Sequence, residues 1–524
     1  MGEPAAEDGE AAAAHNGQSW ALRGLRILVY ASVSLILLNV GFDPFGLKRS
    51  AGETSESLIF NVLAAVYGEP PMVSDGPRVR WNERMTVLLF EDGALDKLKE
   101  PWPVSLATHA DILRDIYDNY RPDAIMVDFL FIDRRPNDTE GLAALSSLLA
   151  RIKAEGKTRV YLSAFDAPPH TAEVLEELRE VTTLVAAAWH EPGGRGANPL
   201  YYPMADGGGR RPSVPRSDDA GDPGPAFVIY KDLCRHAHDG PRRLMHCPPE
   251  GAFEEALADP MKVYWGVRAP SLNWEQGNLG PRFACKAVSG GLLTRMWSLT
   301  ADGLMGWKDE FPQRCPYTQM TLVREFADPD FRVYPDVLTA YDAAFGGRGD
   351  GLPTVVFYGA ELAGMKDELP THTHGTVAGI YLHAMALDNL LTLGAKYIRF
   401  SDTGGQRLVL DIVMVLAVAA ASVLVTDWRR YILSDAQSHR RISAILRSRA
   451  GGPLLLAVNT AAVMPIVMAG IYVAFVELRL PPINWVAYFG VAGTVRLVEA
   501  RRVEQAAMRI RDRLRARRHD KRGT

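Results

Sequence analysis

The sequence predicts an α/β domain, mainly a parallel sheet covered by helices on both faces, joined to a four-helix transmembrane region. Four long apolar runs divide the chain, one before residue 41 and three after residue 407. Between them, short apolar runs alternate with helical patterns, which is typical of parallel strands joined by crossover helices. The 47% apolar and 23% charged composition excludes collagen-like and wholly disordered chains.

The apolar runs cover residues 25–40, 408–426, 453–476 and 482–497. A spanning helix needs roughly 17–25 apolar residues, and the fourth run is the weakest because it is short. Asp411 lies near the start of the second run, and Asn459 and Pro465 lie within the third; spanning helices tolerate such residues. The first run is either an uncleaved anchor or a signal peptide. The anchor is favoured because no small-residue cleavage site follows it.

Charge orients these spans, because short basic segments stay in the cytoplasm. The tail 1–24, the loop 427–452 and the basic tail 498–524 fall on one side when four spans are present. Residues 41–407 then lie outside with 38 basic and 50 acidic residues, a net charge of −12. We therefore expect a multi-pass protein of the bacterial inner membrane with a large periplasmic domain. Its basic segments would face anionic membrane lipid, and the whole-chain charge of −4 predicts no nucleic-acid partner.

All four cysteines lie in the predicted periplasmic region, which favours two disulfides in an oxidising compartment. Three pairings are possible. We favour Cys234 with Cys247 and Cys285 with Cys315, because this pairing closes the shortest loops. Zinc is a weaker alternative, since no two cysteines have the spacing of a zinc knuckle.

Within residues 41–407, apolar runs predict strands and periodic runs predict helices. The predicted strands are 85–92, 124–131, 159–165, 261–267 and 354–359. The predicted helices are 108–120, 142–154, 173–184 and 377–393. Residues 193–226 are crowded with Gly, Pro, Asp and Arg, which predicts a flexible insertion.

Two blocks of the sequence resemble the type-2 CHASE domain (CHASE2), an extracellular sensory module. The first block carries Trp102-Pro103, His109-Ala110 and a Val-x-Asp-x-x-Phe strand ending at Phe131. The second block is a strand and glycine loop followed by a helix that opens with Gly-x-x-x-His-Ala. Its matching residues are Gly359, Asp367, Pro370, Gly379, His383 and Ala384.

The resemblance implies a sensor with one span before the domain and three after it. Many relatives continue into a kinase or cyclase domain, and no such signature appears here. We therefore expect a receptor-like subunit that binds a ligand or partner in the periplasm and couples it to a separate protein. The alternative is a structural scaffold subunit of a cell-envelope assembly. Either role implies a homo- or hetero-oligomer with other envelope or signalling proteins.

Acidic residues follow several predicted strands. Glu91, Asp92 and Asp128 end two of them, and Asp367 lies in the loop after another. Ligands of open α/β sheets bind outside the carboxyl ends of the strands, so these acids are candidate ligand-binding residues, with His383 as a fifth. The alternative is that they cap helices through backbone amides.

Metal binding and catalysis have weaker signals. His372 and His374 alternate on an extended segment and share one face, so they are weak metal candidates, against the alternative of a hydrogen-bonded loop. The sequence has no nucleophile elbow and no HExxH motif. We therefore expect no enzymatic activity, no catalytic residues and no cofactor.

Overall fold

A computed structural model describes the chain in segments. These are residues 59–61, 63–68, 80–135, 137–165, 174–188, 201–202, 204, 224–238, 246–249, 251–257, 260–268, 285–305, 314–326, 352–364, 367–371, 373–398, 404–434 and 451–473. The predicted spans 25–40 and 482–497 lie outside these residues, as does His372. The chain divides into two compact units, one comprising residues 57–402 and 479–481 and the other the remaining residues.

The first unit is organised around parallel strands. In chain order the strands are β1 Met85–Glu91, β2 Ala124–Val127, β3 Arg159–Phe165, β4 Thr183–Ala188, β5 Tyr201–Tyr202, β6 Met261–Lys262, β7 Gln319–Leu322, β8 Val355–Glu361, β9 Glu368–Thr371 and β10 Gly375–Ala378. Six of them form one sheet in the order β4-β3-β2-β8-β1-β7, and every pairing in it is parallel. The pairs β5–β6 and β9–β10 are short and antiparallel.

Helices connect and cover these strands. They are α1 Asp92–Leu98, α2 Leu106–Tyr120, α3 Thr139–Glu155, α4 Glu176–Arg179, α5 Pro225–His238, α6 Phe253–Ala256, α7 Leu292–Met305, α8 Val323–Phe326, α9 Ile380–Leu393, α10 Gly404–Ser434 and α11 Gly451–Tyr472. Helix α2 begins at Leu106, two residues before the predicted start, because Ser105 caps it by accepting the Thr108 N–H at 3.2 Å.

Both faces of the sheet are buried, which explains why its strands read as continuous apolar runs. Alternate residues such as Leu88, Val127 and Leu162 join the apolar side chains of α2 and α3 in one core cluster. Their neighbours along each strand point to the opposite face. There α9 contacts β1 and β8, and α5 contacts β4. The predicted parallel sheet with helices is therefore confirmed.

Four element predictions need correction. Strand β2 ends at Val127, so residues 128–131 of the predicted strand 124–131 are not part of a strand. Residues 173–184 contain only the short helix α4, and the β-branched residues that follow begin strand β4. Only Met261–Lys262 of the predicted strand 261–267 is a strand, because the Asn389 side chain bonds the backbone of Tyr264. Residues 377 and 378 belong to β10, so the last helix of the domain begins at Ile380.

The cysteines pair as the shortest-loop prediction states. Cys234 is bonded to Cys247 with their Cα atoms 5.7 Å apart, and Cys285 to Cys315 with their Cα atoms 4.7 Å apart. The first bond joins α5 to residue 247. The second lies beside a parallel bridge between Lys286 and Arg314.

The second unit contains the long apolar helices. Within the described residues, one stretch of 20 residues, Val409–Trp428 in α10, is long and apolar enough to cross a membrane. Helix α11 contacts α10 and contains a shorter apolar stretch, Ala457–Val467. The second and third predicted spans thus fall on helices, while the four-span arrangement stays a prediction.

Candidate functional site

Three of the five predicted ligand-binding residues converge at the carboxyl edge of the sheet. Asp128 directly follows β2, Asp367 lies in the loop between β8 and β9, and His383 lies in the first turn of α9. Asp367 interacts electrostatically with both of the others. Ser163 of β3 and Tyr202 of β5 complete the group, which we call the acidic cluster.

Two hydrogen bonds organise the acidic cluster. The Ser163 hydroxyl donates to Asp128 Oδ1 at 2.8 Å. The Tyr202 hydroxyl accepts the Ala226 N–H at 2.9 Å and is hydrogen-bonded to His383 Nδ1 at 2.8 Å. Tyr202 and His383 are buried, whereas Asp128 is half-buried and Asp367 is exposed. The cluster therefore places two carboxyl groups, each substantially desolvated, beside a buried tyrosine–histidine pair.

Burial sets the electrostatics of the cluster. It raises the pKa of Asp128 from 3.8 to about 6, and the Ser163 hydrogen bond opposes this rise. Burial and the nearby Asp128 also raise the pKa of Asp367, opposed by His383 and the Gly379 backbone. Burial lowers the pKa of His383 to about 4, so this imidazole is neutral at pH 7.

A glycine allows Asp367 to approach the start of α9. A Cβ atom at Gly379 would lie 2.5 Å from the Asp367 carboxylate, closer than real side chains come. The Gly379 N–H also donates to the Asp367 backbone carbonyl at 3.0 Å. Because helix N-termini attract negative charge, α9 helps to hold this carboxylate in place.

The other two predicted acids have structural partners. Glu91 caps α1 by accepting the Ala94 N–H at 2.9 Å, and Arg324 Nε lies 3.5 Å from its carboxylate. Burial raises the pKa of Glu91. Asp92 accepts the Ala363 N–H at 3.2 Å, which ties it to the loop after β8. Glu91 therefore caps a helix, which is the alternative to ligand binding that the sequence left open.

The described histidine of the THTH segment also has a backbone partner. His374 is fully buried, and its Nε2–H donates to the Gly266 carbonyl at 2.7 Å. Burial lowers its pKa to about 4. In the part of the chain that the structure describes, no group of three His, Cys, Asp or Glu side chains could hold a metal ion.

Sequence reasoning missed Ser163 and Tyr202. Ser163 was detectable, because it is the only small polar residue within the apolar run of β3. Tyr202 gave no usable signal, because it lies inside the 193–226 segment predicted as an insertion. In that segment Tyr201–Tyr202 forms β5, and Tyr202 is fully buried.

The motif residues around His109 form a buried aromatic group rather than an open site. The His109 ring lies 4.7 Å from the Phe129 ring and 5.1 Å from the Phe131 ring, measured between centroids. His109 Nδ1 is hydrogen-bonded to the Tyr358 hydroxyl at 3.0 Å. Burial, followed by Arg135, lowers the pKa of His109 to about 3. This histidine therefore packs the face of the sheet as a neutral ring.

A second buried carboxyl lies further along α9. Asp388 is fully buried and accepts a hydrogen bond from the Tyr67 hydroxyl, while its Oδ2 atom has no hydrogen-bond partner. Burial raises its pKa to about 7. The adjacent Asn389 bonds both the N–H and the carbonyl of Tyr264, at 2.8 and 2.9 Å.

Comparison with protein families decides the relationship. The model of the CHASE2 domain matches residues 73–423, about two thirds of the chain. The chain belongs to the CHASE2 family. CHASE2 domains are extracellular sensory domains, so the sheet, the acidic cluster and both disulfides lie in a sensory module. The disulfides fit an oxidising exterior. No curated protein and no solved structure is significantly similar to the chain.

Proposed function

We propose that this protein is a membrane-anchored sensor subunit whose CHASE2 domain binds a small extracytoplasmic ligand at the acidic cluster. The observation that carries the proposal is the convergence of Asp128, Asp367 and His383 at the carboxyl edge of the sheet. These residues come from distant parts of a domain that belongs to a sensory family. Open parallel sheets bind their ligands at this edge.

The chemistry of the cluster favours a cationic or hydrogen-bond-donating ligand. The cluster holds two carboxyl groups, and the neutral His383 next to them adds no competing positive charge. Primary amines and guanidinium groups donate charge-assisted hydrogen bonds to carboxylates. The proposed ligand class is therefore small molecules that carry such groups.

In chain order, the acidic cluster is followed closely by the predicted membrane helix. Helix α9 begins beside Asp367 and ends at Leu393, a 3-10 turn Gly394–Lys396 follows, and α10 begins at Gly404. In the proposal, the domain lies in the periplasm of a bacterial inner-membrane protein with one span before it and three after. Movement of α9 then reaches a partner protein through α10.

We expect compounds of the proposed class to raise the melting temperature of the purified full chain in detergent. The test is a thermal-shift screen with primary amines, guanidinium compounds and neutral polyols. Replacement of Asp128 with asparagine keeps the shape of the side chain and removes its charge, so it should abolish the shift. Asp111→Asn, on the exposed surface of α2, is the matched control and should retain it.

A screen in which no amine or guanidinium compound shifts the melting temperature would contradict ligand binding at the cluster. Purification from native membranes then tests the scaffold alternative. A stoichiometric envelope protein that travels with the chain supports scaffolding, whereas a kinase or cyclase supports sensing.

We also expect the affinity for a positive compound of this screen to rise with pH. The pKa of Asp128 is about 6, so its carboxyl ionises between pH 5 and pH 7. The groups that face it are Ser163, Tyr202, Asp367 and His383, and His383 stays neutral in this range. The ionised fraction rises roughly tenfold, and the affinity should rise by about the same factor. Isothermal titration calorimetry at pH 5 and pH 7 measures it, and an affinity independent of pH would contradict the role of Asp128.

A further inference from the structure

Helix α5 is fixed to α9 near the acidic cluster. The N–H of Ala226, the second residue of α5, donates to the Tyr202 hydroxyl, which is also hydrogen-bonded to Nδ1 of His383 in α9. Helix α5 also packs against α9. One hydroxyl group therefore joins the start of α5 to the start of α9.

Further along α5, Tyr230 and Cys234 fix the helix to the turn that follows α9. Cys234 is bonded to Cys247, and the Tyr230 hydroxyl donates to the His246 carbonyl at 2.8 Å. His246 packs directly on Gly394, where a Cβ atom would lie 2.5 Å from that carbonyl oxygen. Gly394 has a φ of +56°, a left-handed conformation that favours glycine. Residues 246–247 thus hold the turn against α5.

The two attachments lie on one stiff element, and the most distant pair, Ala226 and Cys234, is eight residues apart. Eight residues of α-helix span about 12 Å and deform little over that length. We propose that α5 together with residues 246–247, which we call the brace, couples the acidic cluster to the Gly394 turn. The Cys234–Cys247 disulfide locks the far end of the brace.

The signalling meaning of the brace rests on the proposed function, since the turn leads into α10. When a ligand moves His383, the Tyr202 hydrogen bond shifts α5, and residues 246–247 pass this shift to the turn. The mechanical coupling between the cluster and the turn requires no ligand. An experiment on the protein without ligand can therefore contradict the brace without contradicting ligand binding, and the reverse also holds.

Hydrogen exchange of the full chain in lipid nanodiscs, read by mass spectrometry, tests the brace. Tyr202→Phe removes a hydroxyl at the cluster, and we expect exchange to become several-fold faster in residues 394–398 at the far end. The double substitution Cys234→Ser and Cys247→Ser should accelerate exchange there tenfold or more. Tyr117→Phe, which removes a hydroxyl between α2 and α3, and the pair Cys285→Ser and Cys315→Ser are matched controls expected to leave residues 394–398 unchanged.

Tyr230→Phe gives a second test that keeps both disulfides, in case the cysteine variant does not fold. It removes the bond to His246 and should also accelerate exchange in residues 394–398. Exchange that changes only in residues 380–384 of Tyr202→Phe would overturn the brace, because the hydroxyl would then act locally. Unchanged exchange in residues 394–398 of the Tyr230→Phe variant would overturn it as well.

Discussion

Replacing Asn389 with alanine is expected to lower the free energy of unfolding by about 3 kcal/mol. The Asn389 side chain accepts the Tyr264 N–H and donates to the carbonyls of Tyr264 and Met385, and all of these groups are buried. Alanine leaves the Tyr264 N–H without its acceptor, and a buried unpaired donor costs about 1–3 kcal/mol. Urea unfolding of the purified chain, followed by tryptophan fluorescence, measures the change.

Asn119→Ala is the matched control for this experiment. Asn119 lies exposed on α2, so the same substitution should change the free energy of unfolding by less than about 0.5 kcal/mol. A small effect at Asn389 would contradict the conclusion that this side chain replaces a strand partner for Tyr264.

Asp388→Asn is expected to make the protein more stable than wild type as the pH rises from 4 to 7. Burial raises the pKa of Asp388 from 3.8 to about 7, so the folded state keeps a proton that the unfolded state loses in this window. Protonated Asp388 therefore contributes its whole stabilisation to the folded state below pH 4. This contribution decreases as the pH rises and is lost at about pH 7. Asparagine does not ionise, and its oxygen can still accept the bond from Tyr67.

The expected gain of the Asp388→Asn variant over wild type is on the order of 4 kcal/mol across this range. Urea unfolding of both proteins at half-unit steps of pH measures it, and the buried histidines cancel because both proteins contain them. Asp111→Asn should follow the wild-type curve. A difference between Asp388→Asn and wild type that does not grow with pH would show that Asp388 is ionised in the folded state.

Much of the sheet was predictable because burial on both faces leaves a strong local signal. The strands around Leu88 and Phe357 read as unbroken apolar runs, and their predicted positions agree with the structure. Strand order left no such signal. It depends on contacts between residues hundreds of positions apart, such as the pairing of Val87 with Phe357.

The candidate site could be predicted only in part, from the rule that ligands bind at the carboxyl edge of an open parallel sheet. The carboxyl-edge rule selected Asp128 and Asp367, and the structure places them in electrostatic contact. It also selected Glu91, because a terminal acid of a strand looks the same in sequence whether it caps a helix or faces a cleft. Tyr202 could not be found, since a two-residue strand in a segment rich in glycine and proline has no periodicity.

The position of β8 has a consequence for how the domain is made. This strand lies between β1 and β2, yet it follows both by more than 200 residues in the chain. During synthesis, β1 and β2 each keep one unpaired edge until residue 361 has been synthesised. Unpaired strand edges promote aggregation. A nascent chain halted before β8 therefore holds two half-sheets without their shared central strand, a natural substrate for chaperones and quality-control proteases.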